Sequence, residues 1–281
     1  MSIELPSTLF AKGLCFGEGP RWYDGNLWIS DMHAHQVLRF DSSGNATSIL
    51  EVPGCPSGLG WMPDGSLLVV SMEDRKLLRL RDGSVSTHAD LSSLAKGRCN
   101  DMVVDAEGRA YVGNFGFDLH GGEKSRPTDL ICVDPDGSSR IVASDLVFPN
   151  GTVITPDGKT LVVGESFTGR LTAFDVGPNG DLSNRRVWAD LPNGAVPDGI
   201  CLDVAGGIWV ASPTTNECIR VEAGGKVTHR VAFDRGAYAC MLGGSDLYVL
   251  ISGASHPNKC RAERSGQVVV AKAPFAGAGL P

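Results

Sequence analysis

The feature that most constrains this chain is a turn that returns six times. A tight turn followed by a short apolar run occurs as YDGNLWIS, MPDGSLLVV, DAEGRAYVG, TPDGKTLVV, VAGGIWVAS and GGSDLYVLIS. One marker in each copy, Trp28, Leu68, Tyr111, Leu161, Trp209 and Tyr248, recurs at intervals of 40, 43, 50, 48 and 39 residues. Asp-Gly between apolar runs signals a hairpin, because Gly accepts the positive φ that a tight turn demands. A second series of strand-like runs follows (QVLRFD, LLRLRDG, LICVDPDG, RLTAFDVG, CIRVEAGG, QVVVAKA), and a third closes most repeats (ATSILEV, STHADL, SRIVASDL, RRVWADL, VTHRVAF). With the run ahead of each marker turn, each of the first five repeats holds four strands. Four short antiparallel strands every ~40–50 residues predict a propeller blade. The fold class is therefore all-β, a six-bladed β-propeller with four antiparallel strands per blade, in one domain spanning residues 1–281.

The sixth repeat has its first three runs (YACMLGG, DLYVLIS, QVVVAKA) but no fourth. The segment TLFAKG, ahead of the first blade, has no other place to pair. It is expected to form the outer strand of the last blade, closing the ring and removing an open edge.

Composition agrees with a turn-rich β protein: 36 Gly and 16 Pro among 281 residues. The net charge of -7, without a Lys/Arg run, argues against nucleic-acid partners and against an anionic membrane surface. No apolar run approaches the ~20 residues of a membrane span. The N-terminal MSIELPSTLFAKG lacks the basic-then-apolar pattern of a secretory signal, so a cytoplasmic location is the expectation. The eight cysteines show neither CxxC pairs nor zinc-finger spacing and are expected to be free, mostly buried thiols.

In a propeller the first strand of each blade lines the central channel. The segments just before the marker turns read GEGP, PSGL, CNDM, PNGT, PDGI and YACM. They place Glu18, Ser57, Asn100, Asn150 and Asp198 at one register position, with no clear counterpart near Tyr238. The x-Asp-Gly and x-Asn-Gly dipeptides are common turn formers. Their recurrence at a single axial position favours a shared site instead. Carboxylates and carboxamides gathered on one axis are costly without a counter-charge. Such oxygen donors suit Ca²⁺, Mg²⁺ or Mn²⁺, with Zn²⁺ or Fe²⁺ possible when ligands are few.

These residues carry a family resemblance. GEGPRW at 17–22, the RxND pattern of Arg98–Asp101, PNG at 149–151, SNRRVW at 183–188, PDGICLD at 197–203 and GGSDLYV at 243–249 resemble, in order and spacing, the regucalcin/gluconolactonase family, the senescence marker protein-30 group. The resemblance implies a six-bladed propeller and one divalent metal held by Glu18, Asn150 and Asp198, with Ca²⁺ or Zn²⁺ foremost. It further implies that Asn100 binds substrate or a metal-bound water and that Arg98 contacts substrate hydroxyls or carboxylates. Asp118 stands where some relatives place a glutamate for sugar hydroxyls, although NFGFDLHGGEKSRP departs from the usual pattern there.

Two repeats carry long insertions. Trp28 to Phe40, Leu68 to Leu80 and Trp209 to Val221 each span 12 residues, whereas Tyr111 to Val133 and Tyr248 to Val270 span 22. The extra segments, FGFDLHGGEKSR and GASHPNKCRAER, bring His120, Lys124, Arg126, His256, Lys259 and Arg261 and are expected to border one channel mouth. The segment Asp31-Met-His33-Ala-His35 reads as a polar hairpin tip rather than a metal site, since no other blade offers a histidine at that position. No GxSxG elbow, P-loop or dinucleotide fingerprint is present.

The expected activity is metal-dependent hydrolysis with Asp198 as metal ligand and general base; the resemblance implies that the substrate is a small-molecule lactone, foremost a sugar (aldono-) lactone. The alternatives are an arylesterase or phosphotriesterase on the same fold, a strictosidine-synthase-like enzyme, and a non-enzymatic calcium-binding propeller.

Overall fold

The computed structural model describes residues 2–119 and 121–279. Six sheets are arranged around an axis. Four of them follow the chain directly. Their strands, from inside to outside, are Gly17–Tyr23, Asn26–Asp31, Gln36–Phe40 and Ala46–Glu51 in blade one, and Pro56–Trp61, Leu67–Ser71, Lys76–Arg81 and Ser84–Asp90 in blade two. Blade three comprises Cys99–Val104, Ala110–Asn114, Thr128–Val133 and Ser139–Leu146. Blade four comprises Pro149–Ile154, Thr160–Glu165, Arg170–Val176 and Leu182–Asp190. Blade five comprises Ile200–Leu202, Ile208–Ser212, Glu217–Val221 and Val227–Ala232, with a fifth, parallel edge strand, Ile3–Glu4, outside the last of these.

The sixth blade is built from both ends of the propeller. Gly236–Gly243, Asp246–Ser252 and Gly266–Lys272 pair in order, and Ser7–Leu14 pairs antiparallel with Gly266–Lys272. The N-terminal segment thus closes the ring as expected. Phe10 fastens the closure, its ring edge-on to Tyr248 at 5.1 Å.

Each inner strand packs on the next, and the sixth packs on the first. The approach is close enough to require glycine. A Cβ on Gly19, whose φ is +51°, would stand 2.4 Å from the Ser57 carbonyl oxygen of blade two. One on Gly151 would stand 2.4 Å from the Ile200 nitrogen of blade five. Alternating apolar side chains fill the space between sheets, with Leu27, Ile29, Leu68, Ile131, Val163 and Trp209 fully enclosed. All eight cysteines are free and buried, as expected from their spacing.

A buried ion pair ties blade one to blade three. Arg21 donates from Nη2 to Asp101 Oδ1 at 2.7 Å, with both side chains almost wholly enclosed. Its Nη1 donates to the Pro20 carbonyl at 2.7 Å.

Candidate active site

The inner strands deliver their axial residues to one cavity of about 540 Å³. Glu18, Asn100, Asn150 and Asp198 line its floor, and Arg98 lines its wall. Ser57, the fifth axial polar residue, is buried and does not line the cavity. Asp118 does not line it either. It lies exposed on the blade-three loop, where its Oδ1 accepts the Gly121 N–H at 2.9 Å and so organises the loop's own turn.

The floor is a coupled polar group. Asn150 donates from Nδ2 to Asp198 Oδ1 at 2.6 Å and to Ser166 Oγ at 3.3 Å. Ser166 in turn donates to the Pro197 carbonyl at 2.7 Å. Glu18 Oε2 accepts the Gly19 N–H at 3.3 Å. Asn100 Nδ2 reaches the Pro149 carbonyl at 3.5 Å, across from blade three to blade four. The two carboxylates lie deep in the fold but keep part of their surface open to the cavity. Burial pushes the Asp198 carboxyl up to about 8, reinforced by Asp101 and Cys240 and opposed by the Asn150 hydrogen bond. Glu18 is held well above the usual carboxylate range by burial, then by the nearby Asp198 and Asp101 charges, with Arg21 pulling weakly the other way.

That electrostatic arrangement fits a cation. Two carboxyls that share a cavity resist ionising together, and a bound cation would remove the penalty on both. With Asn150 Nδ2 occupied, its Oδ1 remains as the donor for such an ion. Among the described residues no group of three His, Cys, Asp or Glu side chains could hold a metal. The candidate set is two carboxylates and one carboxamide, an all-oxygen set that suits hard divalent ions.

Sequence reasoning missed two contributors. The first is Tyr238, the blade-six occupant of the axial ring. It lines the cavity, and its phenol is pushed up by burial and by the Asp198 and Glu18 charges. The second is the segment Asp31–His35. It forms a 3₁₀ turn over Met32–Ala34, not a polar tip, and both His33 and His35 line the cavity. His33 is buried, stacks on Phe16 at 5.3 Å and donates from Nε2 to the Ser255 carbonyl at 3.2 Å. Asp31 is also buried and structural. Its two oxygens accept the N–H groups of Cys15 at 3.2 Å and Phe16 at 2.8 Å, which sets the chain leading into the blade-one inner strand.

Both long insertions border the mouth, as expected. The blade-three loop contributes Phe115 and Leu119, and the blade-six insertion contributes Ser255, His256 and Arg261. Part of the latter is a short helix, Pro257–Glu263, started by a proline where a helix needs no N–H. Arg98 forms an ion pair with Glu73 at 3.2 Å at the rim. Lys124, Arg126 and Lys259 do not line the cavity, and His120 lies outside the described residues.

The fold and the cavity together define a six-bladed propeller with an axial cavity whose floor carries side-chain oxygens. The chain belongs to the family described as the SMP-30/Gluconolactonase/LRE-like region, whose model matches residues 16–252. It is similar to regucalcin of Xenopus laevis, with 29% identity over 267 residues, 90% of this chain and 89% of that protein. It is also similar to a 6-deoxy-6-sulfogluconolactonase of Pseudomonas putida, with 25% identity over 269 residues, 93% of this chain and 88% of that one. Among solved structures it resembles a calcium-binding protein, regucalcin, from Agrobacterium tumefaciens, with a TM-score of 0.80 and 20% identity, covering 98% of each chain. That last likeness carries the fold. Among the described residues no helix is long and apolar enough to cross a membrane.

Proposed function

We propose that this protein hydrolyses lactones with the help of a divalent cation held by Glu18, Asn150 and Asp198. The observation that carries the reading is the pair of deep carboxyls from blades one and five. They meet Asn150 in an open cavity and are both held above the ordinary carboxylate range. The family and the lactonase named among its relatives support the same chemistry. Small sugar lactones are the first substrates to test, because that relative's name states one. Ca²⁺ and Zn²⁺ are the first ions to test, followed by Mg²⁺, Mn²⁺ and Fe²⁺.

A divalent cation bound to these oxygens supplies Lewis-acid polarisation of a carbonyl and lowers the pKa of water. The chain's own residues do the rest. Asn150 holds the Asp198 carboxylate by its Nδ2–H, and that carboxylate accepts the proton of the attacking water. A bond forms between the water oxygen and the lactone carbonyl carbon, the ring acyl C–O bond breaks, and the proton taken by Asp198 passes to the leaving ring oxygen, which becomes the product hydroxyl. One water is consumed, and the product is a hydroxy acid whose carboxyl proton is released. Asn100, on the floor, orients the ring, and Arg98 meets substrate groups from the wall. Asp118 is left out of this assignment because its carboxylate serves its own loop.

The test is proton release from a lactone panel by chelated protein and by protein resupplied with single ions. Turnover that requires a divalent ion is expected. No turnover with any ion sinks the hydrolase reading, and undiminished turnover after chelation sinks the metal.

A further inference from the structure

Above the polar floor stands a second ring, set by the same repeat. Phe16, Cys55, Arg98, Phe148 and Val196 each lie two residues before an axial position, and all five line the cavity. Four of the five are apolar. The blade architecture therefore puts a hydrophobic collar directly over the oxygen donors.

Phe148 extends the collar outward. Its ring stacks on Phe115 with centroids 4.4 Å apart at 26°, and it meets Phe167 at 5.1 Å. Phe148 has φ +57°, a left-handed backbone that a bulky side chain rarely adopts. Bonds on both sides hold it there. Glu165 Oε2 accepts the Val147 N–H at 2.9 Å, and the Phe148 carbonyl accepts the Ser166 N–H at 3.2 Å. The fold thus retains a strained backbone at the residue that supplies the central ring of the wall.

Three polar groups of the wall already have partners within the protein. Arg98 pairs with Glu73 at 3.2 Å, His33 with the Ser255 carbonyl at 3.2 Å, and Ser166 with the Pro197 carbonyl at 2.7 Å. A lactone whose carbonyl sits on the floor must turn its ring substituents toward this wall. Alkyl or aryl groups placed against the Phe115, Phe148 and Phe167 rings gain by leaving water. The cavity of about 540 Å³ also exceeds what a bare lactone ring fills and lies in the range that encloses larger ligands.

We infer that the substrate is a lactone bearing an apolar alkyl or aryl substituent, rather than one hydroxylated around its ring, and that Phe115, Phe148 and Phe167 select it. The inference rests on the hydrolase reading for its chemistry and on the aromatic wall for the substituent. Ring opening remains the addition of one water, giving a substituted hydroxy acid.

The test compares γ-nonanolactone with D-gluconolactone on the metal-supplemented protein. kcat/KM is expected to be at least about 10-fold higher for γ-nonanolactone. Phe167→Ser, at an exposed rim position, is expected to lower that preference about 5-fold without lowering the melting temperature. Phe148→Leu, which keeps the site apolar, is a second probe and is expected to lower it less. A reversed preference, or one that neither variant moves, overturns the inference. Calorimetric titration of both lactones separates the two readings. Tight binding of γ-nonanolactone with turnover of neither lactone removes the hydrolase and keeps the apolar selectivity. Tighter binding of D-gluconolactone, or binding of neither, removes the selectivity.

Discussion

Asn150 donates from Nδ2 to Asp198 Oδ1 at 2.6 Å, joining the inner strand of blade four to the segment that leads into blade five. The two residues are 48 positions apart, close to one repeat. The bond occupies Oδ1 of the aspartate and Nδ2 of the amide, leaving Oδ2 of the aspartate and Oδ1 of the amide outside it. The roles proposed for both residues rest on that division.

Asp198→Asn keeps the size and one oxygen but cannot take a proton. It is expected to lower kcat/KM by about 100-fold or more while the protein stays folded. Initial rates of lactone hydrolysis check this, with circular dichroism as the folding control. A variant with full turnover would show that Asp198 is not the base.

Cation binding is expected to raise thermal stability. At about 100 times the dissociation constant, an ion that binds the folded state alone contributes about 2.7 kcal/mol. Melting curves of chelated protein titrated with Ca²⁺ or Mn²⁺ should therefore shift up by several degrees. Glu18→Gln, which removes one of the two charges, should shrink the shift.

The metal-free protein should show an inverse pH response at this site. Folding raises the Asp198 carboxyl to about 8, so over the window from the ordinary carboxylate range up to about 8 the folded state binds more protons than the unfolded one. Stability from this group is therefore lost as pH rises through that window, and it levels off above. Wild type and Asp198→Asn, both chelated, are compared by thermal melts. Wild type is expected to lose stability relative to the variant as pH rises, and a parallel response would contradict the assignment.

Arg21→Met removes the cation that faces Asp101 across blades one and three. Leaving a buried carboxylate without its partner costs about 3–5 kcal/mol, a large share of a domain's stability. Urea unfolding measures it. Adding Asp101→Asn to Arg21→Met should recover part of the loss, because the unpaired charge is then gone.

The ring closure is open to a direct check. Phe10→Ala removes the edge-on contact with Tyr248 on the strand that completes blade six and is expected to cost about 2–3 kcal/mol. Limited proteolysis should then cut first near Ser7–Leu14. Cutting elsewhere would mean that the closure is not the weak point.

The repeat made much of this protein legible. Glu18, Asn100, Asn150 and Asp198 could be grouped because each precedes a blade's second strand at the same register. Tyr238 escaped because it is not a small polar residue and blade six carries an alanine where four of the other five blades have a glycine after the axial residue, and its pairing shifts between Ala237 and Ala239. Ile3–Glu4 and the helix Pro257–Glu263 are too short to display a period. His33 reads as a turn residue in a local window. Its position at the cavity depends on stacking with Phe16 and on a carbonyl 222 residues away.

The sequence by itself determined the six blades, the strand that closes them and the residues that face the axis, because turns and alternation are local properties that recur with the repeat. The tertiary structure alone decided which of those residues share a cavity, which oxygens stay available to a ligand, and what stands above them. Those outcomes depend on contacts between blades. The Phe148 wall, the Arg21–Asp101 pair and the charge environment of Asp198 each join side chains from different blades, and no local pattern records the distances between them.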